Sequence, residues 1–179
     1  MTETWLDQVT IRLLREADLP ELEWEGEYSR YRRVYQEVYK NSQKGISFPY
    51  VAETAENGII GQVFLTLKEP NPGYNGRSRY FFLSSFRIRE PFRDRGLGDL
   101  LLQVCEKEVR AHRLRDIFLN CSTDNDRARH FYERHSFRIV RIDEGNWTFI
   151  NAEGMVVSEK QSAYLMRKTL PRFSLNYRR

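Results

Sequence analysis

The sequence predicts a single α/β domain in which about four helices flank a mixed, mainly antiparallel sheet of about seven strands. The length of 179 residues suits one domain with its own hydrophobic core. Short runs rich in β-branched and aromatic residues recur between turn signals, which is typical of strands. One strand–helix–strand succession, between residues 80 and 121, predicts a single parallel pair, because a crossover helix returns the chain in the same direction.

The first quarter of the chain predicts one strand and a helical region in two pieces. The run VTIRLL, residues 9–14, is the first strand candidate. Residues 15–41 have helical character, and Gly26 is the expected break between the two pieces. In the second piece, aromatic and aliphatic residues recur at spacings of three and four, so we expect one helical face packed into the core. These residues are Tyr28, Tyr31, Val34, Tyr35, Val38 and Tyr39.

The middle of the chain predicts a hairpin and a further strand. Residues 48–53 are a short strand candidate, and Asn57-Gly58 is a strong signal for a two-residue hairpin turn. The run IIGQVFLTL that follows is rich in β-branched and apolar residues. A loop rich in Pro, Gly and Asn then leads into YFFLSSFRIR, another strand. Ser84 and Ser85 interrupt this apolar strand, and they either line a site or mark a β-bulge.

The second half predicts two helices, each followed by a strand. Apolar residues form one helical face over 97–109, and DIFLNC, residues 116–121, is a short buried strand. A second helix is expected over about 125–135, and the strand FRIVRI follows it.

The C-terminal part predicts a hairpin, a last strand and a tail. The hairpin is expected within 146–157, where it either edges a binding site or forms a dimer contact. AYLMRK is the last strand. We expect one domain over 1–170 and a loose, basic tail over 171–179.

Composition argues against several classes of protein. Cys105 and Cys121 form no CxxC pair, and the three histidines lack metal-ligand spacing, so neither a disulfide scaffold nor a metal site is expected. The N-terminus is acidic and polar, and apolar runs are too short to span a membrane, so we expect a cytoplasmic protein without a membrane partner. The net charge of +4 suits a polyanionic small molecule but is too small to predict nucleic-acid binding.

A glycine-rich turn is the densest signal in the chain. In the segment FRDRGLG, Gly96 and Gly98 lie between an arginine-rich turn and the start of a helix. Unpaired N–H groups and the positive end of the helix dipole bind anions there, and Arg93 and Arg95 add positive charge. The turn therefore predicts a phosphate cradle, although the glycines alone are equally explained by turn geometry. A third glycine and a GK[ST] sequence are both missing, which disfavours dinucleotide binding and nucleotide hydrolysis.

Two motifs in order carry a resemblance to a known family. The segment RDRGLG, residues 93–98, resembles the R/Q-x-x-G-x-G/A motif of the GCN5-related N-acetyltransferases, the GNAT family. The segment NDRARHFYERHSF, residues 125–137, is similar to the N-x-x-A-x-x-(F/L)-Y-x-x-x-G-F segment of the same family. The close match covers roughly 88–137, and the order of strands and helices is compatible over most of the chain.

The resemblance implies acetyl-CoA as the acetyl donor and a splayed parallel pair that admits it. It places the pyrophosphate on the turn of Arg93, Arg95, Gly96 and Gly98. It also implies that the backbone of Phe86 and Ile88 holds the pantetheine arm. No metal is implied.

The second motif implies a contact and a catalytic role. Asn125 matches the asparagine that contacts the cofactor arm, and it can also cap the helix. Tyr132 matches the general acid, which protonates the CoA thiolate after a primary amine has attacked the thioester directly. A tyrosine suits this role because its pKa is close to that of a thiol.

Two departures from the family pattern bear on the mechanism. Ser136 replaces the usual glycine after the second motif, and serine tolerates a positive φ poorly, so we expect a reshaped turn. Asn120 occupies the position where one branch of the family has an acidic residue. Asparagine cannot accept a proton, so the general base is not identified.

The acceptor side is suggested by an acidic stretch before the first motif. Trp24, Glu25, Glu27 and Tyr28 would form a wall that receives a cationic amine through charge and cation–π contact. The alternative is a solvated acidic face without a binding role. The sequence names neither the acceptor nor the oligomeric state, although the resemblance allows a homodimer.

Two other functions stay open. A non-catalytic acyl-CoA-binding or regulatory module would keep the cradle without turnover, and Asn120 is its only support. A nucleic-acid or ribosome-associated protein is suggested by the pI of about 9.1 and by the arginines of the tail. It is disfavoured because a cofactor pyrophosphate already accounts for Arg93 and Arg95.

Overall fold

The computed structural model describes residues 5–172 except 75 and 77. Within these residues seven strands form one sheet. The strands are β1 (Thr10–Leu13), β2 (Ser47–Thr54), β3 (Gly58–Lys68), β4 (Tyr80–Ile88), β5 (Asp116–Ser122), β6 (Arg138–Ile150) and β7 (Val156–Thr169). Of the basic tail predicted over 171–179, residues 173–179 lie outside the described residues.

Three α-helices flank the sheet in the described part of the chain. They are α1 (Arg32–Ser42), α2 (Leu97–Ala111) and α3 (Asp126–Arg134), and 3₁₀ segments lie at Trp5–Gln8, Glu16–Glu23, Ser29–Tyr31 and Glu90–Phe92. The first of the two predicted helical pieces is thus a 3₁₀ segment, because Pro20 lies inside it and lacks the N–H that a regular α turn requires. The predicted break falls in a left-handed turn, with φ of 45°, 58° and 95° at Trp24, Glu25 and Gly26.

The sheet confirms the predicted fold class and its single parallel pair. The strand order is β1-β2-β3-β4-β5-β7-β6, and only β4 with β5 is parallel in this sheet of described residues. The parallel ladder begins at Phe81 with Ile117 and ends at Leu83 with Leu119. Beyond this point β4 stays with β3 and β5 stays with β7, so the two parallel strands diverge.

A β-bulge bends β4 at the point of divergence. Ser85 and Phe86 lie opposite the single residue Val63 of β3. Ser85 has a φ of 50°, a left-handed conformation that non-glycine residues rarely adopt. The bulge interpretation of the serine pair is therefore confirmed. Such bulges redirect side chains next to functional sites.

Helical layers cover both faces of the sheet. On one face α2 and α3 enclose the larger core cluster, in which Leu101 and Phe137 are fully buried. On the other face α1 and the 3₁₀ segment Glu16–Glu23 cover a smaller cluster with Leu22 and Tyr35. Tyr35 is 1% exposed, which confirms that the tyrosine face of the predicted helix packs into the core at this position.

The hairpin formed by β6 and β7 is longer than predicted. Its strands have 13 and 14 residues, and β7 pairs with β5 only from Ala163 to Thr169. The outer part of the hairpin packs against the 3₁₀ segment before α1. There the rings of Tyr31 and Phe149 lie 5.1 Å apart, and Arg30 forms an ion pair of 2.7 Å with Glu159.

The described residues contain neither a membrane-spanning helix nor a cluster of metal ligands. No helix there is long and apolar enough to cross a membrane. The same residues contain no group of three or more His, Cys, Asp or Glu side chains that could hold a metal ion.

Candidate active site

A cleft of about 960 Å³ lies where β4 and β5 diverge. Its walls are the end of β4, the turn before α2, the first turn of α2 and one side of α3. The lining residues are Tyr28, Phe86, Arg87, Ile88, Arg93, Asp94, Gly96, Gly98, Asp99, Asn125, Arg127, Ala128, His130, Phe131, Tyr132 and Arg134. The cleft thus brings together Tyr132 and every residue predicted to bind the cofactor except Arg95.

The two glycines of the turn have different physical roles. Gly96 is the N-cap of α2 and has a φ of 86°, a conformation that disfavours any residue with a Cβ. Gly98 has an ordinary helical φ, but a Cβ there would lie 3.0 Å from the ring of Phe131. Glycine is therefore required at 96 for backbone conformation and at 98 for close packing of α2 against α3.

The start of α2 offers hydrogen-bond donors to the cleft. The first N–H groups of a helix have no intrahelical acceptor, and Leu97, Gly98 and Asp99 form the first turn here. Asp99 would repel an anion, but its carboxylate accepts a hydrogen bond of 2.8 Å from Nε2 of His135. The helix dipole adds a positive partial charge at this end. These features suit an anionic group such as a pyrophosphate.

The arginines of the turn point in different directions. Nε of Arg93 donates to the carbonyl of Ile88 at 2.8 Å, which keeps its guanidinium beside the cleft. The Arg95 guanidinium instead stacks on the ring of Trp5, 4.4 Å from its centroid. The Arg95 side chain therefore does not line the cleft. Its role in cofactor binding stays a prediction, in which only the backbone N–H of Arg95 would contact the pyrophosphate.

Asn125 has the capping geometry that its position predicts. Its Oδ1 accepts a hydrogen bond of 3.0 Å from the N–H of Ala128, so it is the N-cap of α3. The residue also lines the cleft. Because Oδ1 is engaged at the cap, the amide NH₂ is the group that remains for a ligand.

Tyr132 lies deep in the cleft wall. The residue is 8% exposed and packs against Phe86, Phe131 and Phe137. Burial raises its pKa well above the usual value, so the phenol keeps its proton at any physiological pH. Burial also raises the pKa of the neighbouring thiol of Cys121, to about 11.

Ser136 adopts the conformation that glycine usually supplies. Its φ is 67°, its N–H donates to Glu133, and the N–H of Phe137 donates to Tyr132 at 3.0 Å. This pattern is a Schellman motif, and the C″ residue Phe137 packs on Tyr132 with ring centroids 5.5 Å apart. The expected reshaping of the turn is wrong, because the Schellman hydrogen bonds and the packing of Phe137 hold serine in the left-handed region.

A second pocket, of about 420 Å³, opens between β4, β5 and the outer hairpin. Aromatic, hydroxyl and amide side chains dominate its lining, and Arg87 lines both this pocket and the cleft. The lining residues are Tyr31, Val34, Phe82, Leu83, Ser84, Ser85, Arg87, Asn120, Ser122, Trp147, Thr148, Phe149, Glu159, Gln161 and Ala163. Among the described residues, Oδ1 of Asn120 has no hydrogen-bond partner although it is buried, so an N–H donor is needed there.

The predicted acceptor wall is only partly at these pockets. Tyr28 lines the cleft, whereas Trp24 is 5% exposed and packs against Tyr28 and Arg89. Glu25 is exposed and forms an ion pair of 2.8 Å with Arg89. Glu27 is exposed and lines neither pocket.

Arg87 was not predicted as a site residue, although a signal existed, since it is a charged residue in an otherwise apolar strand. The hairpin within 146–157 was expected to edge either a binding site or a dimer contact, and Trp147 of this segment lines the second pocket. For Glu159 and Gln161 no sequence signal was available, because only the three-dimensional path of the hairpin brings them to β5.

Comparison with known proteins agrees with this architecture. A family model described as "Acetyltransferase (GNAT) family" matches residues 13–137. No curated protein matches the chain significantly. Among solved structures, Arabidopsis thaliana NAA60 in complex with a bisubstrate analogue has 20% identity and a TM-score of 0.67, over 90% of this chain and 98% of its own.

Two further structures have the same fold. Chaetomium thermophilum Naa20, also in complex with a bisubstrate analogue, has 20% identity and a TM-score of 0.69, over 90% of this chain and 86% of its own. A chimera of spermidine N-acetyltransferase SpeG from Vibrio cholerae and hSSAT has 20% identity and a TM-score of 0.65, over 90% of this chain and 95% of its own. The fold is that of the acetyltransferases among these structures. The chain belongs to the acetyltransferase (GNAT) family.

Proposed function

We propose that the protein is an N-acetyltransferase that transfers the acetyl group of acetyl-CoA to a primary amine. The observation that carries the proposal is the cleft beside the free end of β4, beyond its ladder with β5, which Tyr132 lines together with the first turn of α2. A long, flexible, polyanionic thioester fits this arrangement, because its pyrophosphate needs N–H donors and its thioester end needs a narrow gap beside a general acid.

Each part of the cleft would serve one part of the donor. The first turn of α2 and Arg93 would bind the pyrophosphate. The β4 edge at Phe86 and Ile88, which no longer pairs with β5, would hydrogen-bond the pantetheine amides. The NH₂ of Asn125 would contact the same arm. Solved structures of relatives include Arabidopsis thaliana NAA60 in complex with acetyl-CoA, which supports this assignment.

The reaction would proceed by direct attack in a ternary complex. The neutral amine attacks the thioester carbonyl, the C–S bond breaks, and Tyr132 protonates the sulfur as it leaves. The nitrogen loses one proton as the amide forms, and an equivalent proton restores the phenol of Tyr132. A β4 backbone N–H near the bulge would stabilise the developing oxyanion. Neither Cys105 nor Cys121 is needed as a nucleophile: both are buried, and burial raises the pKa of both thiols, which disfavours the reactive thiolate.

Two measurements test the proposal. Acetyl-CoA at ~100 times its Kd should stabilise the fold by about 2.7 kcal/mol, which is read as a shift in Tm. CoA release should then require both acetyl-CoA and an amine. A Tm shift without amine-dependent CoA release would favour the alternative, a non-catalytic acyl-CoA-binding module, whereas no shift would refute both.

A further inference from the structure

The guanidinium of Arg87 lies at the junction of the cleft and the second pocket. Its carbon is 4.0 Å from the centroid of the Tyr28 ring and 5.1 Å from that of the Tyr31 ring. One nitrogen donates a hydrogen bond of 2.6 Å to the hydroxyl of Tyr35. Contacts with three tyrosines thus fix the position of the guanidinium, and no carboxylate of the described residues contributes to them.

Arg87 forms no ion pair with any described residue, in contrast to Arg30 and Arg89. Arg30 and Arg89 are each paired with a glutamate, Glu159 and Glu25 respectively. A partly buried guanidinium without a carboxylate has unused N–H donors and an uncompensated charge. In a pocket, such a group is a candidate for binding an anionic ligand.

The second pocket has no free negative charge to balance Arg87. Among its described lining residues the only carboxylate is Glu159, and both oxygens of Glu159 accept hydrogen bonds from Arg30, at 2.7 and 3.2 Å. The acidic residues at 23 and 25 are likewise bound by arginines. Among the described residues that line the second pocket, Arg87 is therefore the one charged group without an opposite partner, which favours an anionic acceptor over a polycationic one.

We propose that the acceptor carries a side-chain carboxylate in addition to its primary amine and that Arg87 binds this side-chain carboxylate. The inference rests on the proposed function and deepens it, because it names the class of acceptor. Oδ1 of Asn120, which needs a donor, would receive an N–H of the amine in the same pocket. The acceptor is then either an acidic amino acid or a peptide whose first residue is acidic.

Matched acceptors that differ only in one side-chain charge test the proposal. Free glutamate is compared with glutamine, and a C-terminally amidated tetrapeptide that begins with Glu is compared with one that begins with Gln. We expect kcat/KM to be about 10- to 100-fold higher for the acidic member of at least one pair, as for a charge-assisted hydrogen bond. The pair that shows the preference identifies whether the acceptor is an amino acid or a peptide.

Three variants assign the preference to Arg87. Arg87→Gln should abolish the preference, so that kcat/KM becomes equal within each pair, and Arg87→Lys should retain part of it. Arg141→Gln is the matched control: its guanidinium lies 5.5 Å from the Tyr74 ring but is paired with Asp143, and it lines neither pocket. Circular dichroism and Tm establish that each variant is folded.

Binding measurements separate the failure of this inference from that of the proposed function. Calorimetry with CoA-saturated protein measures the affinity for the Glu and Gln tetrapeptides and for glutamate and glutamine without any turnover. Preferential binding without CoA release would leave the assignment of Arg87 intact and refute the catalytic proposal. Equal affinity and equal kcat/KM within each pair would overturn the role of Arg87. So would an Arg87→Gln variant that weakens acetyl-CoA binding but keeps the acceptor preference.

Discussion

Gly98→Ala probes the contact that sets the width of the cleft. The added Cβ would lie 3.0 and 3.2 Å from two ring carbons of Phe131, which is closer than ordinary van der Waals contact. The ring cannot easily move away, because Phe86, Tyr132 and His135 surround it with centroids 4.5 to 5.6 Å distant. The substitution therefore forces α2 and α3 apart or turns Phe131 into the cleft.

The net magnitude follows from two opposing effects. Overpacking a core site costs about 1–3 kcal/mol, whereas alanine in a helix gains about 0.5–1 kcal/mol over glycine. We expect Gly98→Ala to lower stability by about 1 kcal/mol, which corresponds to a Tm lower by ~2–4 °C for a protein of this size. Acetyl-CoA should also bind less tightly, since Phe131 lines the cleft.

Thermal unfolding and acetyl-CoA titration of four proteins check this reasoning: the wild type, Gly98→Ala, Phe131→Leu and the double variant. Because leucine removes the ring, the double variant should be more stable than the sum of the single effects predicts. An alanine variant as stable as the wild type, with unchanged affinity, would refute the packing role of Gly98. Strict additivity in the cycle would show that the effect of the alanine does not involve Phe131.

Three further predictions concern single residues. Tyr132→Phe should lower kcat by about 10²-fold or more with acetyl-CoA affinity nearly unchanged, as measured by CoA release and by titration, because only the proton donor is lost; an unchanged kcat would exclude it as the acid. Ser136→Gly should raise stability by about 0.5–1 kcal/mol in thermal unfolding, since the left-handed φ strains serine; a less stable variant would contradict that strain. Burial raises the pKa of Asp18, but hydrogen bonds from Arg12 and from the N–H of Arg15 lower it by more, so the pKa in the folded state is below its usual value. The stabilisation by the Asp18 carboxylate is therefore complete above the unfolded pKa of ~3.9 and is lost as the pH falls through the folded pKa. Arg12→Gln should therefore cost roughly 3 kcal/mol at neutral pH and flatten the loss of stability below pH ~4, which urea unfolding over a pH series can test; a parallel profile would contradict it.

Much of the fold could be predicted because strong local signals agree with it. The Asn57-Gly58 turn, the helical face over 97–109 and the strand–helix–strand order each act over short distances along the chain. The prediction failed where a single residue changed the outcome. Pro20 converts an expected α-helix into a 3₁₀ segment, and the packing of Phe137 holds Ser136 in a conformation that serine alone disfavours.

The candidate site was predictable on the cofactor side and hardly at all on the acceptor side. Gly96, Gly98, Asn125 and Tyr132 lie in two short motifs whose spacing is fixed by helix geometry, so the sequence places them. Arg87 and the residues of the outer hairpin meet only through long-range packing. The predicted charge of the acceptor wall was also misleading from the sequence alone, because the arginine that pairs with Glu25 is Arg89, which is remote in the chain.

The short parallel ladder also has a mechanical consequence. Among the described residues only three pairs, from Phe81 to Leu83 with Ile117 to Leu119, join the half-sheet β1–β4 to the half-sheet β5–β7 in the parallel ladder. Side-chain packing supplies further contacts between the halves, through the core under α2 and α3 and between Tyr31 and Phe149 at the outer hairpin. A molecule that hydrogen-bonds both diverging edges would act as an extra strand between them, and the amides of those edges would then be better protected from hydrogen exchange.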